Sequence, residues 1–322
     1  MSQHFLLTAA AKTLSLSAVA RMSDEEARAT FRRLRWADNG GEPYCPKCGC
    51  LKVSAFATRP VWKCSGCHYQ FSVTSGTIFA DRKRPLRDYL LAIAIFANGA
   101  KGHSALQLSR DLACQYKTAF VLAHKLREAI ASEARDMTIG GAGKVGEVDG
   151  AYFGGHSRKE NKAEERKDRR LVEEQTGKRQ VVVVMRERGG RTLPFVVAKE
   201  SHGVPIILQR VMPGTILHAD EAGGWDSLHA HYEMHRINHS IAYSLDGACS
   251  NQAESYFARL RRAEIGTHHR ISGRYLGGYA SEMAWREDHR RQSNGAQFKA
   301  IIASALALPK SHDWRGYWQR RA

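Results

Sequence analysis

The chain lacks the features that would put it in a membrane or outside the cell. Its longest apolar run, Leu90–Ala97, falls far short of the ~20 residues a bilayer-spanning helix needs, and no strongly basic amphipathic anchor is present. The stretch up to Ala20 is largely apolar, but it has no basic start and Lys12 interrupts it, so no secretory leader is expected. Internal repeats and low-complexity tracts are also missing. Acidic residues are scarce: 32 Asp and Glu against 49 Lys and Arg leave a net charge of +17 and a pI near 9.8. That imbalance favours a polyanionic partner, nucleic acid first and an anionic membrane as its rival. Seven cysteines are few for 322 residues. A chain long enough to bury a substantial core needs no cysteine staples, and four of the seven fall into two Cys-x-x-Cys pairs, so a reducing cytoplasm is expected.

Those pairs, Cys45-Pro46-Lys47-Cys48 and Cys64-Ser65-Gly66-Cys67, flank a stretch of strand-like composition from Val53 to Trp62. Each pair puts two thiolates on one tight turn, and two such turns complete a tetrahedral Zn²⁺ shell. A dithiol redox motif would use one pair rather than two. Cys50 lies beside the first knuckle, but the spacing favours Cys48.

Helical spacing of Ala27, Phe31 and Leu34 predicts a short helix over Ser23–Trp36, broken at Asn39-Gly40-Gly41. After the basic boundary Arg82-Lys83-Arg84-Pro85, three helices are expected: Leu86 to about Asn98, Ser104 to Leu112, and about Tyr116 to Ala134. The last two resemble a helix-turn-helix whose second helix would enter a DNA major groove with Gln115-Tyr116-Lys117-Thr118 leading; a helical connector between two domains is the plainer alternative. From Lys144 the pattern becomes β-rich, with runs at Val145–Phe153, Gln180–Arg186, Leu193–Ala198 and Thr215–His218. Helices are expected again at Trp225–Tyr232, Ser250–Arg262 and about Leu276–Arg290. Between the first two β runs, His156–Arg179 holds nine basic and six acidic residues and reads as an exposed loop, in which Arg166, Lys167, Arg169 and Arg170 either contact phosphates or form a solvated face.

Three acids recur within or at the ends of short elements: Asp149 in mid-strand, Asp220 at the carboxyl end of a strand, and Glu254 near the start of a basic helix. Three convergent carboxylates are what a pair of Mg²⁺ ions needs for phosphodiester chemistry. Each acid also has a structural explanation. Asp149 and its alternation partner Glu147 share a strand face, so an ion pair with a neighbouring arginine would account for a buried acid there. Asp220 would serve as a helix N-cap, and Glu254 as a surface residue. On the helix, Asn251, Glu254 and Arg261 lie along one stripe.

In order, the segments Phe31–Trp36 before Cys45-Pro46-Lys47-Cys48-Gly49, Ser75-Gly76-Thr77-Ile78-Phe79, Glu147-Val148-Asp149 with Tyr152-Phe153-Gly154-Gly155, Asn238-His239-Ser240, Asn251–Arg262 and Gly266-Thr267-His268-His269 resemble the insertion-sequence transposases of the DDE superfamily that carry an N-terminal zinc ribbon, the IS1595 group. The resemblance runs from about Arg21 to Arg290. It implies an α/β fold, a ribonuclease H-like mixed sheet flanked by helices and preceded by a small zinc ribbon and a helix-turn-helix-like region. It also implies that Asp149, Asp220 and Glu254 hold catalytic Mg²⁺ or Mn²⁺, that Zn²⁺ is structural, and that Arg261 stands where the family usually carries lysine and binds phosphate near the metals. Asn251 competes with Glu254 for the third position, since some relatives use asparagine there. His268 and His269 would contact DNA or move protons, although packed or surface roles are open to both. Gly150 departs from the family's usual second acid, with little harm expected because it faces away from Asp149.

The expected domains are an N-terminal helical segment (1–40), a zinc ribbon (41–80), a helix-turn-helix-like DNA-binding region (81–138), the catalytic domain (139–292) and a C-terminal basic tail (293–322). The function implied is binding of terminal inverted repeats, strand cleavage and strand transfer on double-stranded DNA at transposon ends and target, by a cytoplasmic homo-oligomer with no membrane partner. The alternatives are a non-catalytic DNA-binding regulator derived from a transposase, and a ribonuclease H-fold nuclease without strand transfer.

Overall fold

The structure is a computed structural model, and it describes residues 4–154, 162–166, 179–237 and 249–321. Lys167, Arg169 and Arg170 of the charged loop, Gly155, and the Asn238-His239-Ser240 segment lie outside the described residues. The chain divides into two units, Met1–Glu133 with His289–Ala322, and Ala134–Asp288. Among the described residues no helix is long and apolar enough to cross a membrane.

In the first unit, helix α1 (Leu16–Ala20) precedes α2 (Asp24–Arg35), which begins where the sequence signals it: Ser23 and Glu26 form a reciprocal capping box. Three acids in the first turn of α2 and three arginines in its last turn suit the helix dipole. Strands β1 (Val53–Ala55), β2 (Trp62–Cys64) and β3 (Gln70–Phe71) form a small antiparallel sheet. It is tied to α2 by the buried Trp36, whose ring meets Trp62 edge-on at 5.6 Å, and by Arg35, which donates to the carbonyls of Ser72 and Ser75. Then come α3 (Leu86–Asn98), α4 (Ala105–Asp111) and α5 (Tyr116–Ser132), close to their expected bounds, with Ser104 capping α4.

The second unit is built on a five-stranded mixed sheet. Strand β4 (Ile139–Gly140) pairs aside with β8 (Val211–Met212); the main sheet comprises β5 (Val145–Gly154), β6 (Arg179–Glu187), β7 (Thr192–Val197), β9 (Ile216–Asp220) and β10 (Glu233–Ile237). Its order is β10-β9-β5-β6-β7, with β5, β6 and β7 antiparallel in succession and β9 and β10 added parallel to β5. Helices cover both faces, so the interior strand β6 reads as an unbroken run of buried valines. Val182 and Val184 pack with Ala151 and Phe153 under α7 (Asn251–Ala263) and α8 (Gly273–Asp288). Val181 and Val183 pack with Val148 under α6 (Val204–Arg210) and Trp225. The helix expected over Trp225–Tyr232 is instead a 3-10 run, Gly223–Ala230, followed by strand β10.

Residues 293–322, read from the sequence as a basic tail, contain helix α9 (Asn294–Ala307), which packs with α2, α3 and α5 inside the first unit. Asn294 fastens it: its Oδ1 accepts from the amides of Thr13 and Leu14, both at 2.8 Å, and its Nδ2 donates to the Leu14 carbonyl at 3.0 Å. Further on, Trp314 stacks on the buried His124 of α5 at 4.2 Å.

Candidate active site

The four cysteines of the two knuckles meet. Their sulfurs lie within 4.8 Å of one another, Cys45 to Cys67 and Cys48 to Cys64 both being 3.6 Å. A tetrahedron with Zn–S bonds of about 2.3 Å has edges of about 3.8 Å, so the donor set fits zinc. The Cys67 amide points at the Cys64 sulfur from 3.5 Å, as a knuckle that stabilises a thiolate requires. Cys50 turns toward the Lys52 carbonyl, and Cys48 completes the cluster, as its spacing favours.

In the second unit the three candidate acids come from three elements. Asp149 sits in the middle of β5 and Asp220 ends β9; these strands are parallel neighbours, with Val148 opposite Ala219, so the two aspartates follow each other across the ladder. Glu254 lies in the first turn of α7, the helix packed over β5. Asp220 is oriented by two donors on its Oδ1, the Trp225 indole N–H at 3.0 Å and the Ala222 amide at 3.3 Å. The Asp149 carboxyl is pushed up to about 7, first by burial and then by Asp220, with Glu254 and Glu200 adding to the repulsion and the Gly150 N–H opposing it. Asp149 faces the charges of the other two, yet among the described residues only the four cysteines gather their donor atoms within 4.8 Å. Like charges in a partly desolvated site resist closer approach, and a cation shared between them reverses the sign of that force. A set of hard oxygen donors with excess negative charge suits Mg²⁺ or Mn²⁺.

The remaining sequence candidates are spread along α7 and beyond. Asn251 is its exposed first residue. The exposed Arg261 lies two turns past Glu254, its guanidinium 5.8 Å from the Phe153 ring centre. His268 packs its ring edge-on against Tyr279 at 4.5 Å, and His269 takes up a left-handed backbone, φ 57°.

One acid escaped the sequence reading. Glu200 opens the 3-10 turn after β7, and a Cβ placed on Gly150 would lie 2.8 Å from its Cγ and 2.9 Å from its Oε1. Its carboxyl is raised by burial and then by Asp220. Gly150 therefore opens room for a carboxylate at the very position where the resemblance leads one to expect an acid. A glycine inside an otherwise β-rich strand was the available signal, because it marks close approach by another group.

Beneath the acids lies a second, fully buried carboxylate, Glu147, 0% exposed. The arginine ion pair considered for Asp149 belongs to this residue: Arg188 Nε donates to its Oε1 at 2.9 Å. His218, on β9, is pushed down to about 4 by burial and then by Arg188 and His235, so its neutral ring offers Nδ1 as an acceptor.

Residues 142–288 match the family model described as an ISXO2-like transposase domain, and residues 22–70 match that of a transposase zinc-ribbon domain. The first covers Asp149, Asp220 and Glu254; the second covers all four clustered cysteines. No curated protein and no solved structure matches the chain.

Proposed function

We propose, for a chain that belongs to the zinc-ribbon DDE transposases of insertion sequences, that it binds the terminal inverted repeats of its element and catalyses metal-dependent cleavage and strand transfer of double-stranded DNA. The observation that carries this reading is the placement of Asp149 and Asp220 at successive positions of neighbouring parallel strands, with Glu254 in the first turn of the helix packed over β5, all within the matched domain. The strand order, an antiparallel β5-β6-β7 meander extended by two parallel strands, supports a ribonuclease H-like catalytic domain.

Asp149 and Asp220 would hold the divalent ions, with Glu254 rather than the exposed Asn251 as third ligand. Two such ions, when bound, supply activation of water or a DNA 3′-hydroxyl and stabilisation of the leaving oxygen. The Trp225 and Ala222 N–H groups fix which Asp220 oxygen stays free for that role. Arg261 would steady a phosphate at the edge of the site. The zinc ribbon, held by Cys45, Cys48, Cys64 and Cys67, stiffens a sheet too small to hold itself together.

DNA would also be held in the first unit. A cleft of about 900 Å³ there is lined by Arg82, Lys83, Lys117, Lys125, Lys310 and Arg315, with Asp81 and Asp88 as its acids. Such a surplus supplies salt-sensitive affinity for phosphates, and the lead of α5 at its rim suits a helix-turn-helix-like use. Joining two transposon ends requires a homo-oligomer on DNA.

The test incubates the full chain with DNA bearing the element's ends and Mg²⁺. Nicking and joined products are expected, both lost in Asp149→Asn and Asp220→Asn while DNA binding persists. Unchanged nicking by both variants would overturn the assignment. Binding without any nicking by the wild type would make the chain a regulator, and nicking without joining a nuclease.

A further inference from the structure

We infer that Glu147, Arg188 and His218 are positioning residues: a brace built on a fully buried carboxylate, one layer beneath the acids, that sets the spacing of the three elements carrying Asp149, Asp220 and Glu254. The inference rests on the reading of those acids as the metal site.

A carboxylate with no exposure is costly unless its lone pairs are filled. Those of Glu147 are filled by groups from two other elements. Its Oε2 accepts from the backbone N–H of Gln252 at 2.8 Å and of Ala253 at 3.0 Å, and its Oε1 accepts from Arg188 Nε at 2.9 Å. Gln252 and Ala253 are in the first turn of α7, where amides have no partner within the helix. The residue that would ordinarily cap them, Ser250, makes no side-chain cap. The cap for α7 therefore comes from strand β5, and the negative charge faces the positive end of the helix.

Arg188 carries the connection onward. It follows β6, its amide donates to the Val145 carbonyl at 2.9 Å, and its Nη2 reaches the Cys249 carbonyl at 2.9 Å and His218 Nδ1 at 3.1 Å. The Cys249 amide donates to the same His218 nitrogen at 3.1 Å, fixing the chain just before α7. Glu147 and His218 are direct partners across the β5–β9 ladder.

The spacing gives this network its function. Glu147 is two residues before Asp149 on β5, and His218 is two residues before Asp220 on β9, so in both strands brace and acid share a face. Gln252 and Ala253 directly precede Glu254. A shift of any one of these three elements must break a bond to the same guanidinium–carboxylate pair. An apolar pair of similar volume would fill the space, but it would not set where the first turn of α7 begins relative to β5.

The experiment uses the full chain with zinc retained and compares wild type, Glu147→Gln and Arg188→Lys. Glu147→Gln keeps the shape but removes the charge; Arg188→Lys keeps the charge but cannot reach Glu147, Cys249 and His218 together. Mn²⁺ affinity is read by electron paramagnetic resonance, alongside cooperative melting and end-DNA binding. Both variants are expected to fold and bind DNA as wild type does, to lose about tenfold to a hundredfold in Mn²⁺ affinity, and to cleave about a hundredfold more slowly at saturating Mn²⁺ and DNA. Lower melting temperatures with wild-type Mn²⁺ affinity and saturated rate would reduce the network to packing and overturn the inference. Should Glu147→Gln fail to fold, Arg188→Lys decides by the same criteria. Asp149→Asn and Asp220→Asn run in parallel: if they keep wild-type Mn²⁺ affinity, the reading of the site itself fails, whereas their loss beside an unaffected brace pair refutes the brace alone.

Discussion

Replacing Asp149 with asparagine should stabilise the protein in the absence of magnesium while abolishing its chemistry. The carboxyl titrates near 7 instead of 3.8, because burial and then Asp220 penalise its charge. An acid raised in this way contributes fully to stability below pH ~4, where it is protonated in both states. Between about pH 4 and pH 7 the unfolded chain has released the proton and the folded one retains it, so stability falls as pH rises and levels off above 7. A shift of about three pH units corresponds to about 4 kcal/mol at 1.36 kcal/mol per unit. The residue is partly solvated, which lowers the expected gain to about 2 kcal/mol. Asparagine keeps an oxygen for the Gly150 N–H that now serves the carboxylate. For a unit of this size, about 2 kcal/mol corresponds to about 4–8 °C in melting temperature. The assay is thermal unfolding of wild type and Asp149→Asn at pH 5 and pH 8, in zinc-replete buffer without magnesium, followed by a magnesium titration. The variant should melt higher at pH 8, the difference should shrink toward pH 5, and magnesium should raise only the wild type. A variant that melts lower at pH 8, or gains as much from magnesium, would refute the claim that a buried charge facing Asp220 at a cation site costs the fold stability.

The other expectations concern the same two centres. Because an ion must displace the proton on Asp149, apparent Mn²⁺ affinity should rise about tenfold per pH unit below about 7 and flatten above it; calorimetric titrations that are flat from pH 5.5 to 7 would count against a titrating ligand. Cys45→Ser should release zinc and lower the melting of the first unit, and zinc content measured by a chromogenic chelator should drop from one ion per chain to none; retained zinc would direct attention to Cys50. Gly150→Ala sets a methyl group against Glu200, whose side chain can swing aside, so stability should change by less than about 1 kcal/mol. Mn²⁺ binding should nonetheless weaken about tenfold, and unaltered binding would remove Glu200 from the site.

How much was legible depended on whether a residue's partners are local. The four cysteines announce themselves because each knuckle is a tight turn with fixed spacing. Helices α2 to α5 and strands β5, β6 and β7 follow from apolar period and capping signals such as Ser23 with Glu26. Strand β10, Glu-Met-His-Arg-Ile, has little β-branched or aromatic content and among the described residues pairs only with β9, so nothing in its composition marks it. The sheet supplies that register, not the segment. Helix α9 has a regular buried stripe, Phe298, Ile301, Ile302, Ala305 and Leu306, but the cationic residues that follow dominate the composition of the C-terminus. Glu200 could not be found by spacing at all: only the absent side chain of Gly150, fifty residues earlier in strand β5, points to it.

The site also explains why the sequence repeats an acid-bearing pattern with period two. Along a strand, residues two apart share a face, and at the carboxyl end of a parallel pair the outer of the two can meet water while the inner stays covered. The pairs Glu147 with Asp149 and His218 with Asp220 use this: the inner members are 0% and 4% exposed, the outer ones half-buried. Acids that must tolerate one another's charge cannot also hold their elements together, since every hydrogen bond that fixes them uses a lone pair a cation needs. Separating the two tasks by one strand period leaves the outer carboxylates most of their oxygens and lets Glu147 give all of its bonding to structure. Asp149 can therefore be raised to about 7 without loosening β5 from α7. Coordinates of the metal-loaded protein in which the Glu147 bonds to Gln252 and Ala253 broke as the acids closed would contradict this division of labour; bonds that stay while the acids move by an ångström or two would bear it out.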